Sequence, residues 1–186
     1  MPELPEVEAI TRSLLPPVRG RRVRCVHIFH PLVTKPQPPA RLAKLAEGCH
    51  ILGASRHGKY LLLPLDRGLI EMHFRLDGQL IWFQNASDLF HRANQSPDGV
   101  HVDVALELDN GVLGFADQRH FGRVHHWESF EACPSLRTLG PDALSRKFTP
   151  SFLHARLFAS RRPLKEFLLD QSKIAGIGNI YSAEAL

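Results

Sequence analysis

The chain has 186 residues, enough to bury a substantial core. Its 23 Lys and Arg outnumber its 19 Asp and Glu, and the resulting net charge of +4 is a mild basic excess that fits a polyanionic partner. Its three cysteines, Cys25, Cys49 and Cys133, are far apart and form no CxxC pair, which excludes a disulfide framework and a four-cysteine zinc site. With an acidic start and no apolar run of about 18 residues, the sequence predicts neither a signal peptide nor a membrane span, and we expect a reduced, cytoplasmic protein of bacterial type.

The first predicted element is a helix close to the N-terminus. Pro5 suits the start of a helix, and Glu6 and Glu8 complement the positive end of its dipole. Apolar residues recur along one face of this helix, at Val7, Ile10 and Leu14.

Removal of Met1, which is usual before a small residue, leaves the secondary amine of Pro2 as the N-terminus. Such an amine can attack an aldehyde-like carbon and form a cationic iminium, and the carboxylate of Glu3 lies next to it to move protons. The helix that follows would hold this amine in place.

The middle of the chain is typical of short strands separated by turns. Residues 100–108 alternate strictly between apolar and other side chains, which predicts a strand with one buried and one solvent-exposed face. Asp109-Asn110-Gly111 predicts a hairpin turn into a strand at 112–117. Further strands of an antiparallel sandwich are predicted at 22–29, 50–55, 59–65, 68–74, 79–84 and 123–127. A short helix is predicted between Pro39 and Gly48.

From about residue 134 the pattern becomes helical. Helices are predicted at 151–159 and 163–171, and another begins near Asn179 after the small-residue turn KIAGIGN. Residues 144–165 contain several basic side chains and no acidic ones, which indicates either a solvated helical face or a phosphate-contacting surface: Arg146, Lys147, Arg156, Arg161, Arg162 and Lys165.

Four blocks of sequence, in this order, resemble the formamidopyrimidine-DNA glycosylase family, base-excision enzymes that remove oxidised purines: MPELPEVE at the N-terminus, RHGKYLLL (56–63), DQRHFGR (117–123) and DQSKIAGIGNIYSAEAL (170–186). The resemblance implies an α+β fold. Residues 1–133 would form an N-terminal antiparallel β-sandwich with an N-terminal helix. Residues 134–150 would form a linker, and residues 151–186 would form the start of a helix–two-turn–helix DNA-binding domain.

The resemblance also implies catalytic roles for residues in the first two blocks. Pro2 would attack C1′ of the damaged nucleotide, and Glu3 would protonate the sugar or move protons during that step. Glu6 is a candidate partner, although its place in the first helical turn also accounts for it. Lys59 matches the family's second catalytic residue, and its charge would favour the nucleophilic form of the Pro2 amine. The implied enzyme is both a DNA glycosylase and an abasic-site lyase that acts by β- and δ-elimination.

By the same resemblance, three residues fill the void left when a base is extruded from the duplex. Arg119 would read the orphaned opposite base, Phe121 would insert between base pairs, and Leu76 stands where the family typically has Met. The family's phosphate-contacting His aligns with Gly99, so this contact is either lost or supplied by His101.

Phosphate binding is also expected around the turn KIAGIGN. Its small residues would let the backbone approach a phosphate, with outward-pointing N–H groups of the helix that begins near Asn179 and the side chain of Asn179 as donors. Arg161 and Lys165, with Arg162, would flank this phosphate clamp.

Neither histidine pair in the middle of the chain predicts a metal site. His101 and Asp103 on one strand face provide only two ligands, and the adjacent His125 and His126 point to opposite faces of a strand. We therefore expect no metal-binding residues and no cofactor in this chain.

The family's zinc finger would lie beyond Leu186, so we expect a C-terminally truncated member, with zinc only in a full-length protein. The expected partner is damaged duplex DNA, bound by a nucleoid-associated monomer without membrane contact. These 186 residues alone are expected to bind DNA poorly and to excise 8-oxoguanine weakly or not at all.

Two alternatives stay open at this point. An endonuclease VIII-like glycosylase shares the proline mechanism but prefers oxidised pyrimidines and usually has Gly where this chain has Leu4. A non-catalytic DNA-binding fragment is the other alternative.

Overall fold

The computed structural model describes residues 2–95 and 101–186. The helices within these ranges are α1 (Leu4–Val18), α2 (Pro39–Ala46), α3 (Ala86–Gln95), α4 (Pro134–Arg137), α5 (Pro150–Phe158), α6 (Leu164–Leu169) and α7 (Asn179–Glu184). The strands are β1 (Val23–Ile28), β2 (Ser55–His57), β3 (Tyr60–Pro64), β4 (Leu69–His73), β5 (Gln79–Phe83), β6 (Val102–Leu108), β7 (Gly111–Ala116) and β8 (Arg123–Trp127). None of these helices is long and apolar enough to cross a membrane.

The strands form two four-stranded antiparallel sheets, which confirms the predicted sandwich. One sheet has the order β1-β6-β7-β5 and the other β2-β3-β4-β8. The largest apolar core lies between them and includes the inward-facing residues of α1, notably Val7, Leu14 and Val18. Helix α1 is thereby fixed against the sandwich by burial of its apolar stripe.

The outer face of β6 is not solvent-exposed, so the prediction of one wet face for this strand is wrong. Asp103 and Ala105, which alternate with the core residues, are both buried. Ala105 is covered by α3, an element that the sequence did not indicate: its Leu89 packs with Phe83 and Ala105 in a second apolar cluster on that side of the sheet. Asp103 contacts His120 of the loop after β7. The start of the predicted strand, including Val100, lies outside the described residues.

The predicted strand at 50–55 is also wrong. Only isolated bridges form there, between His50 and Arg22 and between Ile51 and Leu65, and the regular strand begins at Ser55. The hairpin at Asp109-Asn110, the helix after Pro38 and the helices near 151, 164 and 179 occur as predicted, within a few residues.

The helical part has its own small core, formed by Phe167, Leu168 and Ile174 with half-buried neighbours from α5. It is joined to the sandwich through Arg56, which forms ion pairs with Glu8 of α1 and with Asp142. Asp142 also accepts the N–H of Gly58 at 2.8 Å. This junction brings the N-terminus, the β2–β3 turn and the segment before α7 together.

Candidate functional site

The carboxylate of Glu3 is buried against the start of α7. It accepts hydrogen bonds from the backbone N–H groups of Gly178 (2.7 Å), Ile180 (2.9 Å) and Tyr181 (3.4 Å). Because the first N–H groups of a helix have no partner within the helix, this carboxylate satisfies donors that would otherwise be unpaired. Glu3 is only 1% exposed, so its position next to Pro2 is fixed by contacts with a segment 175 residues away in sequence.

Glu6 completes a hydrogen-bonded link between the N-terminus and α7. Its carboxylate accepts the Glu3 N–H at 2.9 Å and the Tyr181 hydroxyl at 2.8 Å. Burial raises the pKa of Glu6, but several hydrogen bonds, foremost those from Tyr181 and Glu3, together hold the pKa below its usual value. Glu6 therefore orients the backbone that carries Pro2 and Glu3. The role of Tyr181 was not predicted from the sequence.

Lys59 and Glu3 lie on either side of the space above the Cα of Gly178. The lysine is 8% exposed. Burial lowers the pKa of its ammonium group, while the negative charges of Glu3 and Glu6 act in the opposite direction. A Cβ on Gly178 would overlap both the Lys59 Nζ and the Glu3 carboxylate, so only glycine leaves room for the pair.

The segment before α7 is shaped by Gln171 and Gly176. The Gln171 amide donates to the carbonyl of Ile177 at 2.6 Å, and its oxygen accepts the Gly176 N–H at 2.9 Å. Gly176 has a φ of +110° and lies against Leu4, whose N–H donates to the Gly176 carbonyl at 3.2 Å. These contacts hold Gly178 under Glu3.

A cavity of about 340 Å³ opens next to Lys59, between the sandwich and the helical part. Its wall combines polar and apolar side chains from both parts, among them Tyr60, His73, Arg75, Gln171, Ile177 and Asn179. A cavity that joins a buried lysine to the surface suits the binding of one extruded nucleotide better than a flat surface would.

His73 is the most strongly perturbed histidine in the described chain. Burial lowers its pKa from 6.5 to about 4, and the positive charge of Arg75 contributes further. Its Nδ1 accepts the Arg75 N–H at 3.0 Å, and its ring contacts Tyr60 edge-on. The imidazole is therefore neutral at physiological pH and forms part of the cavity wall.

Because folding lowers the pKa of His73, its contribution to stability is fully present above pH 6.5 and is lost as the pH falls towards 4. A shift of this size corresponds to about 3 kcal/mol of unfolding free energy. We expect His73→Gln, whose amide oxygen can still accept the Arg75 N–H, to make stability less dependent on pH in this window. Urea unfolding at several pH values measures this effect. His91→Gln, at an exposed position, should leave the wild-type slope unchanged, and an unchanged slope in His73→Gln would contradict the assignment.

Two loops at one end of the sandwich present apolar side chains to solvent. Leu76 follows β4 and is 40% exposed, and Phe121 follows β7 and is 50% exposed. The loops are linked by an ion pair between Arg119 Nε and Asp77 Oδ2 at 2.9 Å. Since Arg75 lines the cavity beside Lys59, the loop that carries Leu76 runs from that cavity to Arg119.

The loop that carries Arg119 and Phe121 is rigidly supported. The Asp117 carboxylate accepts the N–H groups of Arg119 at 3.0 Å and Gly122 at 2.5 Å. The Arg123 guanidinium donates to the carbonyls of Phe121 at 2.8 Å and Gly122 at 2.6 Å. Phe121 is therefore exposed on an ordered turn rather than folded into the core.

The family model for the formamidopyrimidine-DNA glycosylase N-terminal domain matches residues 1–124, and that for the formamidopyrimidine-DNA glycosylase H2TH domain matches residues 139–186. The chain belongs to the formamidopyrimidine-DNA glycosylase family.

Relatives in the formamidopyrimidine-DNA glycosylase family match along the whole chain. The formamidopyrimidine-DNA glycosylase of Moorella thermoacetica is 40% identical over 190 residues and that of Chloroflexus aggregans is 42% identical over 189 residues, in both cases over 100% of this chain. The chain spans just under two thirds of their length, 66% and 65%.

Solved structures of the Lactococcus lactis formamidopyrimidine-DNA glycosylase have the same fold. Its complex with DNA containing an abasic site superposes with a TM-score of 0.84 at 27% identity, covering 100% of this chain and 68% of that one. Its complex with DNA containing an oxidised pyrimidine superposes equally well at 28% identity, covering 100% of this chain and 67% of that one.

One part of the predicted phosphate clamp is wrong. The N–H groups at the start of α7 do not point outward, because those of Gly178, Ile180 and Tyr181 bind the Glu3 carboxylate. The other residues expected to contact DNA all lie on the surface: His101, Arg161, Lys165 and Asn179. Gly99 lies outside the described residues.

Proposed function

We propose that this chain is the catalytic part of a DNA glycosylase and abasic-site lyase that removes oxidised purines from duplex DNA, with 8-oxoguanine and formamidopyrimidines as substrates. The observation that carries the proposal is the buried Glu3 carboxylate, next in the chain to Pro2, which lies across Gly178 from the buried Lys59 that lines a cavity between the sandwich and the helical part. A secondary amine, a buried carboxylate and a buried lysine are the groups needed to form and resolve an iminium.

In the first chemical step, the freed amine of Pro2 attacks C1′ of the extruded nucleotide. The bond between C1′ and the base breaks, and the base leaves with its electron pair and takes up a proton. Glu3 assists by protonating the sugar oxygen or by moving a proton from the amine. Lys59 favours the neutral amine, because its positive charge penalises a second cation nearby.

In the second step, the bond between C1′ and the ring oxygen O4′ breaks as O4′ takes up a proton, which opens the sugar and leaves an iminium between Pro2 and C1′. This iminium makes the C2′ proton acidic. Loss of that proton breaks the bond between C3′ and the 3′ phosphate oxygen, which is β-elimination, and δ-elimination of the 5′ phosphate can follow. Hydrolysis of the iminium then frees Pro2. The same covalent intermediate accounts for both glycosylase and lyase activity.

DNA recognition is assigned to the two exposed loops. Leu76 and Phe121 enter the space that the extruded base leaves, and Arg119 exchanges its ion pair with Asp77 for hydrogen bonds to the orphaned base. Arg161, Lys165 and Asn179 contact the phosphate backbone, and His101 approaches it from the sandwich.

A panel of duplexes tests the substrate assignment. The duplexes carry 8-oxoguanine, a formamidopyrimidine, an oxidised pyrimidine or an abasic site, and excision and strand cleavage are measured separately at low and at physiological salt. We expect cleavage of the abasic site at low salt, with only weak excision of the two purine lesions by these 186 residues. Faster release of the oxidised pyrimidine would favour the endonuclease VIII-like alternative, and DNA binding without any cleavage would favour a non-catalytic fragment.

Replacement of Arg119 by Ala should flatten the preference for cytosine opposite the lesion. A side chain that reads a base edge contributes about 1–3 kcal/mol of discrimination, and the ion pair with Asp77 shows that the guanidinium already extends towards the Leu76 loop. Single-turnover excision rates against each of the four opposite bases measure the change. Arg161→Ala is the matched control: it should weaken binding equally for all four bases and make its salt dependence shallower. A uniform loss in Arg119→Ala would instead assign Arg119 to phosphate binding.

A further inference from the structure

Three potential metal ligands from separate parts of the chain meet beneath the loop that carries Arg119 and Phe121. They are His30, just before a 3-10 turn at Pro31–Thr34, Asp103 on β6, and His120 on the loop itself. One ligand atom of each lies within 4.8 Å of the others. The sequence did not predict this cluster, because the three residues are not close together in the chain.

The backbone already holds these residues in place. The N–H groups of Phe29 and His30 both donate to the carbonyl of Asp103, at 2.8 and 3.1 Å. On the other side, His120 Nδ1 lies 2.7 Å from Asp103 Oδ1, and the imidazoles of His30 and His120 stack with their centroids 3.5 Å apart. The cluster therefore does not depend on long, flexible side chains.

Two polar atoms of the cluster lack a partner in the part of the chain that the structure describes. Asp103 Oδ2 and His30 Nδ1 are both buried and neither makes a hydrogen bond there. Asp103 is 1% exposed. An unsatisfied carboxylate oxygen and an unsatisfied imidazole nitrogen at one buried place are costly, and both are atoms that coordinate metal ions.

We propose that His30, Asp103 and His120 bind a divalent transition-metal ion of the zinc class. Two imidazoles and one carboxylate match the ligands that Zn²⁺ and similar ions take, leaving a fourth position for water. The rings are nearly parallel, with 14° between their planes, so they must rotate for both nitrogens to reach about 2.0–2.1 Å from one ion. The half-exposed side of His120 provides access for the ion.

The site would connect metal binding to the loop that carries Arg119 and Phe121. His120 stands between Arg119 and Phe121 and has a φ of +56°, so coordination would fix the backbone of that loop relative to β6. This inference does not rest on the proposed base excision, since metal binding by the chain can be measured without DNA.

Competition against a chromogenic chelator measures Zn²⁺ binding to the chain after removal of metal with a strong chelator. We expect wild type to bind one more equivalent of Zn²⁺ than His30→Gln or Asp103→Asn, or to bind that equivalent more than about 100-fold more tightly. Loss of even an outer partner of a metal ligand lowers metal affinity by about 10- to 100-fold. His154→Gln, at an exposed position on α5, is the matched control and should behave like wild type. Equal stoichiometry and affinity in all four proteins would overturn the proposal.

Two measurements on the wild-type protein keep the test independent of variant folding. Co²⁺ should give visible absorption bands of a nitrogen- and oxygen-ligated site, and Zn²⁺ should shift the ring resonances of His30 and His120 in nitrogen-detected NMR spectra. A sulfur-to-cobalt charge-transfer band would place the ion on the cysteines instead. Shifts confined to histidines other than these two would likewise contradict the proposed site.

Discussion

Gly178→Ala is expected to reduce lesion excision by at least about 100-fold while leaving the protein folded. The added Cβ would occupy the space between the Lys59 ammonium and the Glu3 carboxylate and push at least one of them aside, and displacement of reacting groups by about 1 Å can cost about 10²-fold in rate. Neither side chain can retreat easily, since Glu3 is bound by three N–H groups and Lys59 is buried.

Single-turnover excision of 8-oxoguanine and circular dichroism together measure this effect. Gly53→Ala is the matched control, because a Cβ there would make only an ordinary contact, 3.6 Å from Leu15 Cδ1. We expect that variant to keep wild-type activity. Full activity in Gly178→Ala would show that the arrangement of Lys59 and Glu3 around Gly178 is not needed for the reaction.

Glu3→Gln should lower the rate of base excision by about 10²- to 10⁴-fold, the usual contribution of a positioned acid or base. The amide keeps one oxygen, which can accept the N–H groups of Gly178 and Tyr181 that share one oxygen of Glu3, but it cannot move a proton. Circular dichroism checks that the fold persists. Binding of abasic-site DNA should change much less than the rate, because Glu3 is buried and its carboxylate faces α7.

Glu184→Gln, an exposed change in the last turn of α7, provides the comparison for Glu3→Gln. Rates measured under single-turnover conditions at several pH values separate chemistry from product release. If Glu3→Gln loses DNA affinity and rate to the same extent, Glu3 acts only through the structure of α7 and is not an acid or base in the reaction.

Much of the scaffold could be predicted from local sequence patterns. Pro5 and the acidic residues that follow it marked α1, alternating apolar residues marked most strands, and Asp109-Asn110 marked a hairpin. Helix α3 was missed because its sequence is mostly polar. Its Leu89 is buried only because the helix packs on the sheet, which the local sequence does not show. For the same reason, the buried outer face of β6 could not be predicted from alternation alone.

The main residues of the site were predicted from the sequence, but the contacts between them were not. The resemblance selected Pro2, Glu3 and Lys59, yet the contact of Glu3 with the start of α7 joins segments 175 residues apart. Tyr181 and Gly178 gain their importance only from that contact. The cluster of His30 with Asp103 and His120 was missed for the same physical reason, since no spacing rule relates residues that meet only through sheet packing.

The central claim is that the amine of Pro2 forms the covalent link to DNA, and borohydride trapping on an abasic-site duplex tests it most directly. The protein is first confirmed by mass spectrometry to begin at Pro2, and the trapped complex is then digested and its modified peptide sequenced. We predict a stable adduct on Pro2 and almost none in a preparation that retains Met1. Burial lowers the pKa of Lys59, so its amine is a second possible nucleophile for the same carbon. An adduct on Lys59, or equal trapping in a preparation that retains Met1, would contradict the role of Pro2.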